Sequence, residues 1–496
     1  MRCSIAVFAV LLCLVPTLSR AERTWLTVLM DGRKVGHLTI DRDIAGDRVT
    51  TLQTLDFRLT RARTPLAIHT EIRSVENTQG SPLAFYAQTK MSSRENRVEG
   101  TRLDDGSFQV ANDVGGQSHV NLLIWPTGAA LAEGQRLAML AGGWKAGTRY
   151  QMRSFDAIRQ QVADVDIVVV GDEVVDMPNG QATLHHLRQT LAGARSDHVL
   201  DIWLDDNGRI RRGISPLLGF RLEMLECDEH CAMAPDQDVD LLRAAMIESP
   251  RLLTPNLRSA PMRYIASIRG DFPQPFAETD EQHVTDMGDG MWQLDVGFAR
   301  GRVEAPPSPE DTASNAWVQS DDPEIIAAAK AAVGDASSDL QRIRRLRSFV
   351  TAYIPEKGMD VGYASALETL HTHRGDCTEH AVLLAALARS QGIPTRVITG
   401  VVYADRFGGA NRVFVPHAWV QVWLGHNWVS FDSAQRRYDA THLALGIGNG
   451  DPWKFFAAMN VLGKIRIEKA LPGSNLMDMP GPSPSIIIAG GAAGGK

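Results

Sequence analysis

Cysteine is scarce in this sequence, and features that would attract nucleic acid or a membrane are missing. The 496 residues include five cysteines, and acidic residues outnumber basic ones by 58 to 51. The charges are interspersed, so no basic stripe predicts nucleic-acid binding and no polybasic run predicts an anionic membrane partner. With 44% hydrophobic and 22% charged residues, the composition is that of a globular protein. Its length favours about three domains.

The longest apolar run is confined to the N-terminus. Residues 5–15 are apolar, Arg2 precedes them and Pro16 follows, and the segment 19–21 has small residues at both positions that a signal peptidase reads. Because this run is too short to span a membrane, we predict a secretory signal peptide at 1–21, with an uncleaved anchor as the alternative. The mature protein is then expected to be periplasmic or secreted, with no stable membrane span.

Export determines how the cysteines are interpreted. Cys3 and Cys13 would leave with the signal peptide. Cys227 and Cys231 are close in sequence and are the disulfide candidates in an oxidising compartment. Cys377 then stays unpaired. A lone thiol in an exported protein is either buried and inert or kept for chemistry.

Residues 22–245 are predicted to form a β-rich N-terminal domain. Alternating runs separated by turn sequences at 104–106, 178–180 and 206–208 favour an antiparallel sheet or sandwich. A less alternating stretch at 122–141 leaves room for a short helix. The region has no Ser/His/Asp cluster, phosphate loop or metal-ligand spacing. It is therefore interpreted as a structural or binding domain that could contact an envelope protein partner.

The rest of the chain divides into three parts, and the fold class is predicted to be α+β. Residues 255–310 are a short β segment and linker, with a proline-rich boundary at 305–309. Residues 320–465 alternate between helical and strand patterns and form the second large domain. Residues 470–496, rich in Gly, Pro and Ser, are predicted to be a disordered tail.

Two helices of this second domain have clear ends. One is capped by Ser338 or Asp339 and terminated by Pro355, and its arginines are assigned to a solvated face. The other begins near Cys377 and ends near Ser390. It has almost no polar face, so it is predicted to be buried on most sides. The arginines in question are Arg342, Arg344, Arg345 and Arg347.

Cys377 is the candidate nucleophile. A thiol attacks as the thiolate, and a free cysteine has a pKa of about 8.5. Unpaired N–H groups at a helix N-terminus stabilise the anion, so the start of a buried helix suits an activated thiol. Gly375 is expected to allow a tight turn and close approach of a substrate. The Cys377 N–H is the candidate oxyanion donor; Tyr363 is considered for the second, although a core position fits it better.

His417 and Asp432 are the candidate base and the carboxylate that orients it. Side chains alternate in direction along a strand, so His417 and Trp419 share a face. If residues 425–426 form a two-residue turn, Trp419 lies opposite Asp432 and His417 is the diagonal neighbour of Asp432. We expect Trp419 and Phe414 to form an apolar wall that excludes water from the pair.

Four motifs carry a resemblance to a known family. They are ALETL (366–370) with RGDCTEHA (374–381), GIPTRV (392–397) with GVV (400–402), HAWVQV (417–422) and WVSFD (428–432). In this order they resemble the transglutaminase-like superfamily of papain-type folds. The resemblance implies a Cys–His–Asp triad at Cys377, His417 and Asp432 and an acyl-enzyme mechanism; no cofactor and no metal are expected. Ser433 stands where the family often has proline. The β-rich N-terminal region resembles that of exported bacterial members.

Two other interpretations of the same residues are weaker. His371, His373, Cys377 and His380 could be zinc ligands. A closed zinc site would sequester the thiol and leave the other two triad candidates unexplained, so His380 is interpreted as a core histidine. Cys377 could also be a small buried hydrophobic residue, as many free cysteines are.

Two classes of function follow. The first is an exported thiol enzyme that cleaves or transfers amide acyl groups of a peptide or protein substrate, with peptidase or amidase activity favoured over cross-linking. The alternative is a non-catalytic envelope binding or scaffold protein on a papain-like fold. The acyl donor and the acceptor, water or an amine, stay open because they depend on loops such as 404–411.

Overall fold

The structure is a computed structural model, and it describes most of the chain between residues 22 and 473. Within that range the gaps are 62–63, 92–93, 115–116, 192–198, 218–219, 241–242, 244, 271, 273, 298–303, 358–363, 436 and 452–460. The predicted signal peptide at 1–21 lies outside the described residues, as does the predicted tail from residue 474 onward. In the described part, no helix is long and apolar enough to cross a membrane.

Residues 22–227 form a sheet of fifteen strands that is antiparallel except for the short β9–β10 pair. Its order is β8-β7-β6-β5-β4-β3-β2-β1-β15-β14-β13-β12-β11-β10-β9, so two meanders meet where the first strand pairs with the last. The strands are β1 (Glu22–Met30), β2 (Arg33–Ala45), β3 (Arg48–Arg61), β4 (Thr64–Asn77), β5 (Pro82–Met91), β6 (Arg94–Arg102), β7 (Phe108–Val114), β8 (Gln117–Leu123), β9 (Ala129–Ala130), β10 (Arg149–Asp156), β11 (Gln161–Met177), β12 (Gly180–Leu191), β13 (Val199–Leu204), β14 (Ile210–Leu217) and β15 (Phe220–Cys227).

Local sequence explains the turns and the one long helix of this sheet. Asp31 and Gly32 both have positive φ, as a tight two-residue hairpin between β1 and β2 requires. Helix α1 (Ala132–Gly142) occupies the stretch that alternates less. Its first N–H groups are satisfied by the buried carboxylate of Glu76, which accepts from Glu133 N at 2.7 Å. A disulfide joins Cys227, at the end of β15, to Cys231.

The short β segment is completed by a strand that follows the α+β domain in sequence. Strands β17 (Met262–Ile268), β18 (Gln282–Gly288) and β19 (Met291–Val296) form a sheet with β26 (Ile465–Pro472), in the order β18-β19-β17-β26. The predicted boundary of the tail at 470 is therefore too early, because residues 470–472 pair with β17. Their pairing partners lie two hundred residues earlier, which local periodicity does not reveal.

Helix α2 (Glu229–Ala232) packs against β1 and β2 of the large sheet. The remaining elements form the α+β domain, which confirms the predicted fold class. Its five-stranded sheet has the order β16-β23-β22-β25, with β24 paired to β23. The helices are α3 (Pro255–Arg258), α4 (Pro323–Val333), α5 (Asp339–Tyr353), α6 (Ala366–Thr372) and α7 (Cys377–Ser390); the strands are β16 (Ile247–Glu248), β20 (Glu356–Lys357), β21 (Arg374–Gly375), β22 (Thr395–Phe407), β23 (Ala410–Trp423), β24 (Trp428–Phe431) and β25 (Leu443–Gly448).

Helix α7 is the centre of the α+β core. The residues from Ala381 to Ala388 are all buried, which confirms the prediction of a helix without a polar face. They pack with Ile343, Leu346 and Val350 of α5 and with the apolar side chains of β23. Because α7 is enclosed on most sides, close packing against its neighbours fixes the position of its first turn.

Candidate active site

Cys377 is the first residue of helix α7, and it is half-buried and forms no disulfide. A capping box fixes this end of the helix. The Asp376 carboxylate accepts from Thr378 N at 2.8 Å, and the Glu379 carboxylate accepts from Asp376 N at 2.8 Å. The box uses two of the N–H groups that a helix start leaves without partners. The predicted start of the helix at Cys377 is confirmed.

Glu379 is a buried carboxyl group in the first turn of helix α7. It is fully enclosed and accepts a second hydrogen bond from Ala364 N at 2.8 Å. Burial raises the pKa of Glu379 well above its usual value, and the nearby Asp376 carboxylate raises it further. Through its hydrogen bond with Ala364 N, Glu379 joins the start of α7 to the segment before α6.

Gly375 is required for a reason different from the one predicted. Its φ is not in the left-handed region, so no special turn conformation demands glycine. Instead, a Cβ at this position would lie 2.3 Å from the Cβ of Glu379. The glycine makes room for the buried carboxyl group. The prediction that it is needed for a tight turn was wrong.

His417 and Asp432 lie together as the strand register predicted. Leu424 N donates to Asn427 O at 3.1 Å, which closes the two-residue turn between β23 and β24. The pairing of Val420 with Phe431 continues this register, which is confirmed. His417 Nε2 lies 2.8 Å from Asp432 Oδ2, and both side chains are buried. Since a carboxylate only accepts, Nε2 carries the proton and Nδ1 is the nitrogen left for a thiol.

The Asp432 carboxylate is stabilised as an anion. Its Oδ1 accepts from Ala434 N at 2.8 Å and from Gln435 N at 3.0 Å. Burial alone would raise the pKa of Asp432, but the charge and hydrogen bond of His417, together with a second histidine, hold it well below its usual range. At neutral pH Asp432 is therefore ionised.

Helix α5 holds the turn that follows Asp432. Arg347 Nε donates to Asp432 O at 2.7 Å, and Arg347 Nη2 donates to Gln435 O at 3.0 Å. Arg345 donates to Val333 O at 2.6 Å. The prediction that these arginines form a solvated face was therefore wrong for Arg347, which binds two backbone carbonyl groups that sequence spacing does not show; Arg345 is exposed, as predicted.

The segment that bears Asp432 is also joined to the helix of Cys377. Ser433 Oγ donates to the carbonyl oxygen of His380 at 3.2 Å, within the first turn of α7. Cys377 and Ala418, the neighbour of His417, pack in the same hydrophobic cluster. These contacts join the segment of Asp432 to the first turn of α7, the helix that begins with Cys377.

Trp419 lies beside His417, but Phe414 does not. The Trp419 ring lies 6.1 Å from the His417 ring, and its Nε1 donates to Ser430 Oγ at 3.1 Å. Phe414 packs 5.8 Å from the ring of Tyr264, on the side of the short β segment. The prediction that Phe414 forms part of an apolar wall was wrong. Phe414 and His417 are three positions apart on β23, and side chains an odd number of positions apart point to opposite faces of a strand.

Two further parts of the chain shape the site. Gly400, opposite His417, allows β22 and β25 to approach closely, since a Cβ there would lie 2.1 Å from Leu443 O. Glu281, from the short β segment, accepts from Ser430 N at 3.1 Å and so supports β24. Burial raises the pKa of Glu281. The expected loop at 404–411 is mostly strand, with a two-residue turn at 408–409.

His442 was missed by sequence reasoning. Its Nε2 lies 3.0 Å from the same Asp432 Oδ2 that His417 contacts, and it is fully buried. The spacing Asp439-x-x-His442 was the available signal, because His442 Nδ1 lies 3.0 Å from Asp439 O. That signal is local and common, and nothing in it points to a carboxylate ten residues earlier.

The histidines of the zinc interpretation point elsewhere. His371 Nε2 lies 3.0 Å from Glu324 Oε2, and the His373 ring lies 4.1 Å from the Tyr353 ring. Tyr363, considered as an oxyanion donor, lies outside the described residues.

A second group of possible ligand atoms is engaged in hydrogen bonds. One atom each of His417, Asp432 and His442 lies within 4.8 Å of the others. Both histidine Nε2 atoms meet Asp432 Oδ2, so these side chains are described as a hydrogen-bonded cluster and not as metal ligands.

Comparison with known proteins assigns the two large parts of the chain separately. Residues 326–433 match the transglutaminase-like superfamily, which confirms the resemblance carried by the four motifs. Residues 26–224 match a domain of unknown function, DUF6134. Over 98 residues, 19% of this chain, the sequence is 31% identical to an uncharacterised protein of Mycobacterium leprae (strain TN). The match spans 34% of that relative's length.

Solved structures resemble the chain more distantly. A beta-barrel-like protein of domain of unknown function DUF1849 from Brucella abortus is 13% identical, with a TM-score of 0.35, over 43% of this chain and 98% of its own. A "putative cysteine protease" from Cytophaga hutchinsonii is 16% identical, with a TM-score of 0.28, over 43% and 83%. A "putative protease" from Parabacteroides distasonis ATCC 8503 is 11% identical, with a TM-score of 0.20, over 79% and 70%.

Proposed function

We propose that this protein is an exported thiol enzyme that cleaves or transfers amide acyl groups of a peptide or protein. Cys377 is the nucleophile, His417 the general base and acid, and Asp432 the group that orients His417. The observation that carries the proposal is the buried hydrogen bond of 2.8 Å between His417 Nε2 and Asp432 Oδ2. It leaves His417 Nδ1 for the thiol of a half-exposed cysteine at a helix N-terminus.

The reaction has two halves. The Cys377 thiolate attacks the amide carbonyl carbon to form a thioester, and protonated His417 gives its proton to the leaving amine. Water, activated by His417, then attacks the thioester and releases the acid together with the free thiol. An amine in place of water would give transfer. The backbone N–H of Cys377 is the proposed donor to the carbonyl oxygen as its charge develops.

Hydrolysis is proposed over cross-linking, and the envelope is the proposed location. The resemblance to exported bacterial members supports both proposals, and the predicted signal peptide supports the location. The N-terminal sheet is proposed to hold an envelope partner or the substrate protein.

The experiment uses the mature protein and a mixture of peptides that differ in length and side-chain amides. Mass spectrometry with and without a primary amine separates cleavage (chain scission), deamidation (a gain of one mass unit) and transfer (addition of the amine). The expected result is scission or deamidation that is lost in Cys377→Ala. Iodoacetamide labelling across pH is the independent measurement. If Cys377 reacts no faster than a free thiol with a pKa of about 8.5, the scaffold alternative replaces the enzyme.

A further inference from the structure

His442 lies behind the proposed triad, on the far side of its carboxylate. Asp432 Oδ2 accepts from two rings, His417 Nε2 at 2.8 Å and His442 Nε2 at 3.0 Å. The two rings meet edge to face with centroids 5.6 Å apart. One oxygen atom thus lies between two imidazoles, each of which must donate its Nε2 hydrogen.

The second nitrogen of His442 indicates that the ring is charged. Nδ1 lies 3.0 Å from Asp439 O and 3.5 Å from Asp439 Oδ1, and both atoms only accept. Asp439 N, a donor, is more distant at 3.3 Å and would suit the neutral ring. The shorter contact and the two carboxylates favour a proton on both nitrogens. Burial alone would lower the pKa of His442, but hydrogen bonds to Asp432 and Asp439 raise it to about 9.

Three further side chains face His442 or interact with it electrostatically. The Tyr438 ring lies 4.7 Å away, and burial raises the pKa of Tyr438 well above its usual value. The Trp419 ring lies 5.1 Å away, edge to face. Glu281 is a further carboxyl group that interacts electrostatically with His442, and burial raises the pKa of Glu281. The carboxylates in contact with His442 are Asp432 and Asp439, and His417 lies on the other side of Asp432.

We propose that His442 is a positioning residue, a buried imidazolium that shares Asp432 with His417 and sets the pH at which His417 loses its proton. This inference rests on the proposed function, because it concerns the base of that site. A cation on Oδ2 takes up part of the negative charge that would otherwise stabilise protonated His417. It also keeps Asp432 ionised and its Oδ2 aimed at His417 Nε2.

The first test is an NMR titration of protein labelled with ¹⁵N-histidine, in which His417 and His442 are assigned from their variants. In the unmodified protein the His442 ring is expected to carry both protons at pH 7 and to titrate near pH 9. A neutral His442 at pH 7 would overturn the proposal. This measurement needs no substrate and no reactive thiol, so it is independent of whether the protein is an enzyme.

The second test uses His442→Gln, whose side-chain amide can still donate to Asp432 without a charge. The pKa of His417 is expected to rise by about one unit, since a unit corresponds to only about 1.4 kcal/mol of interaction. The alkaline limb of the Cys377 alkylation profile should move by the same amount. A uniform fall in reactivity at every pH, with no shift of either limb, would mean that His442 is only structural.

Two further variants keep the test decisive if His442→Gln does not fold. Asp439→Asn removes the second carboxylate and should move the His417 titration in the same direction, by less. Tyr438→Phe is the control, because it alters the same pocket and leaves both contacts of Asp432 Oδ2 in place. It should leave the His417 titration unchanged. If Cys377 proves unreactive while these shifts are seen, the proposed function fails and the role of His442 stands.

Discussion

The N-terminal sheet and the candidate site both pair histidines with carboxylates, but at different depths. His185, on β12, lies 2.7 Å from Asp172 and 2.9 Å from Asp206, and its ring stacks on Trp144 at 4.5 Å. Asp172 and Asp206 are 58% and 93% exposed, whereas Asp432, the shared partner of the two site histidines, is 1% exposed. Solvent screens the first arrangement and not the second.

The comparison shows that burial determines how much each histidine cluster matters for stability and for chemistry. Around His185, water can replace any lost contact, so this cluster contributes little to stability or to chemistry. Around Asp432, every donor is supplied by the protein, and loss of one leaves a buried group without compensation. We therefore expect substitutions in the α+β domain to have large and specific effects and comparable ones in the sheet to have small effects.

The largest effect is expected for Cys377→Ala. Removing the nucleophile should reduce turnover of any amide substrate by ~10³-fold or more, since residues that act as one catalytic unit lose nearly everything together. The double variant Cys227→Ala/Cys231→Ala removes the disulfide of the sheet and is the matched control. It should retain turnover. Equal losses in both proteins would show that general stability, and not the thiol, is being measured.

Gly375→Ala should have the next largest effect, on stability. A new Cβ 2.3 Å from the Cβ of Glu379 must displace the buried carboxyl group or the start of α7, at a cost of about 1–3 kcal/mol. Urea unfolding measures it. Gly213→Ala in the sheet is the control, because its nearest neighbour is the flexible end of Met224 at 3.0 Å. If the two alanines cost the same, Glu379 does not constrain Gly375.

Much of the site could be predicted because its decisive features are local. The parity of β23 and β24 and a two-residue turn placed His417 beside Asp432. Helix α7 was predicted to begin near Cys377, and it does. His442 could not be found in this way, since its partner Asp432 precedes it across a segment of irregular chain whose course depends on tertiary packing.

Contacts distant in sequence account for the other errors. Arg347 looked like part of a solvated stripe because helical spacing shows which face a residue occupies but not what covers that face. Strand β26 looked like part of the tail because its pairing partner, β17, lies two hundred residues earlier. Glu281 reaches β24 across a comparable separation. Sequence periodicity predicts helices and strands, whereas the contacts of these residues depend on how the helices and strands pack together.

Arg347→Ala tests one of these distant contacts and should have a moderate effect. Loss of the two donors to Asp432 O and Gln435 O frees the turn that aims the Asp432 carboxylate. We expect kcat/KM to fall about tenfold, equivalent to about 1.4 kcal/mol. Arg344→Ala, an exposed arginine of the same helix, is the control and should change little. A similar loss in both variants would show that the positive charge of α5 matters and not the specific hydrogen bonds of Arg347.

The smallest effect is expected for His185→Gln in the sheet. Burial opposes the charge on His185, but hydrogen bonds to Asp172 and Asp206 raise its pKa. A raised pKa in the folded state means that the stabilisation is present below the unfolded pKa of about 6.5 and is lost as pH rises through the folded value. The variant should therefore lose stability at pH 5.5 and almost none at pH 8.

The loss at pH 5.5 should be only about 0.5 kcal/mol, because the two carboxylates face solvent. Urea unfolding at both pH values measures it, and the exposed His119→Gln on β8 controls for a histidine substitution in the same sheet. A loss above about 2 kcal/mol would be the size expected for a buried pair and would contradict the contrast in depth. An equal loss at both pH values would instead assign the effect to stacking on Trp144, since stacking does not need the charge.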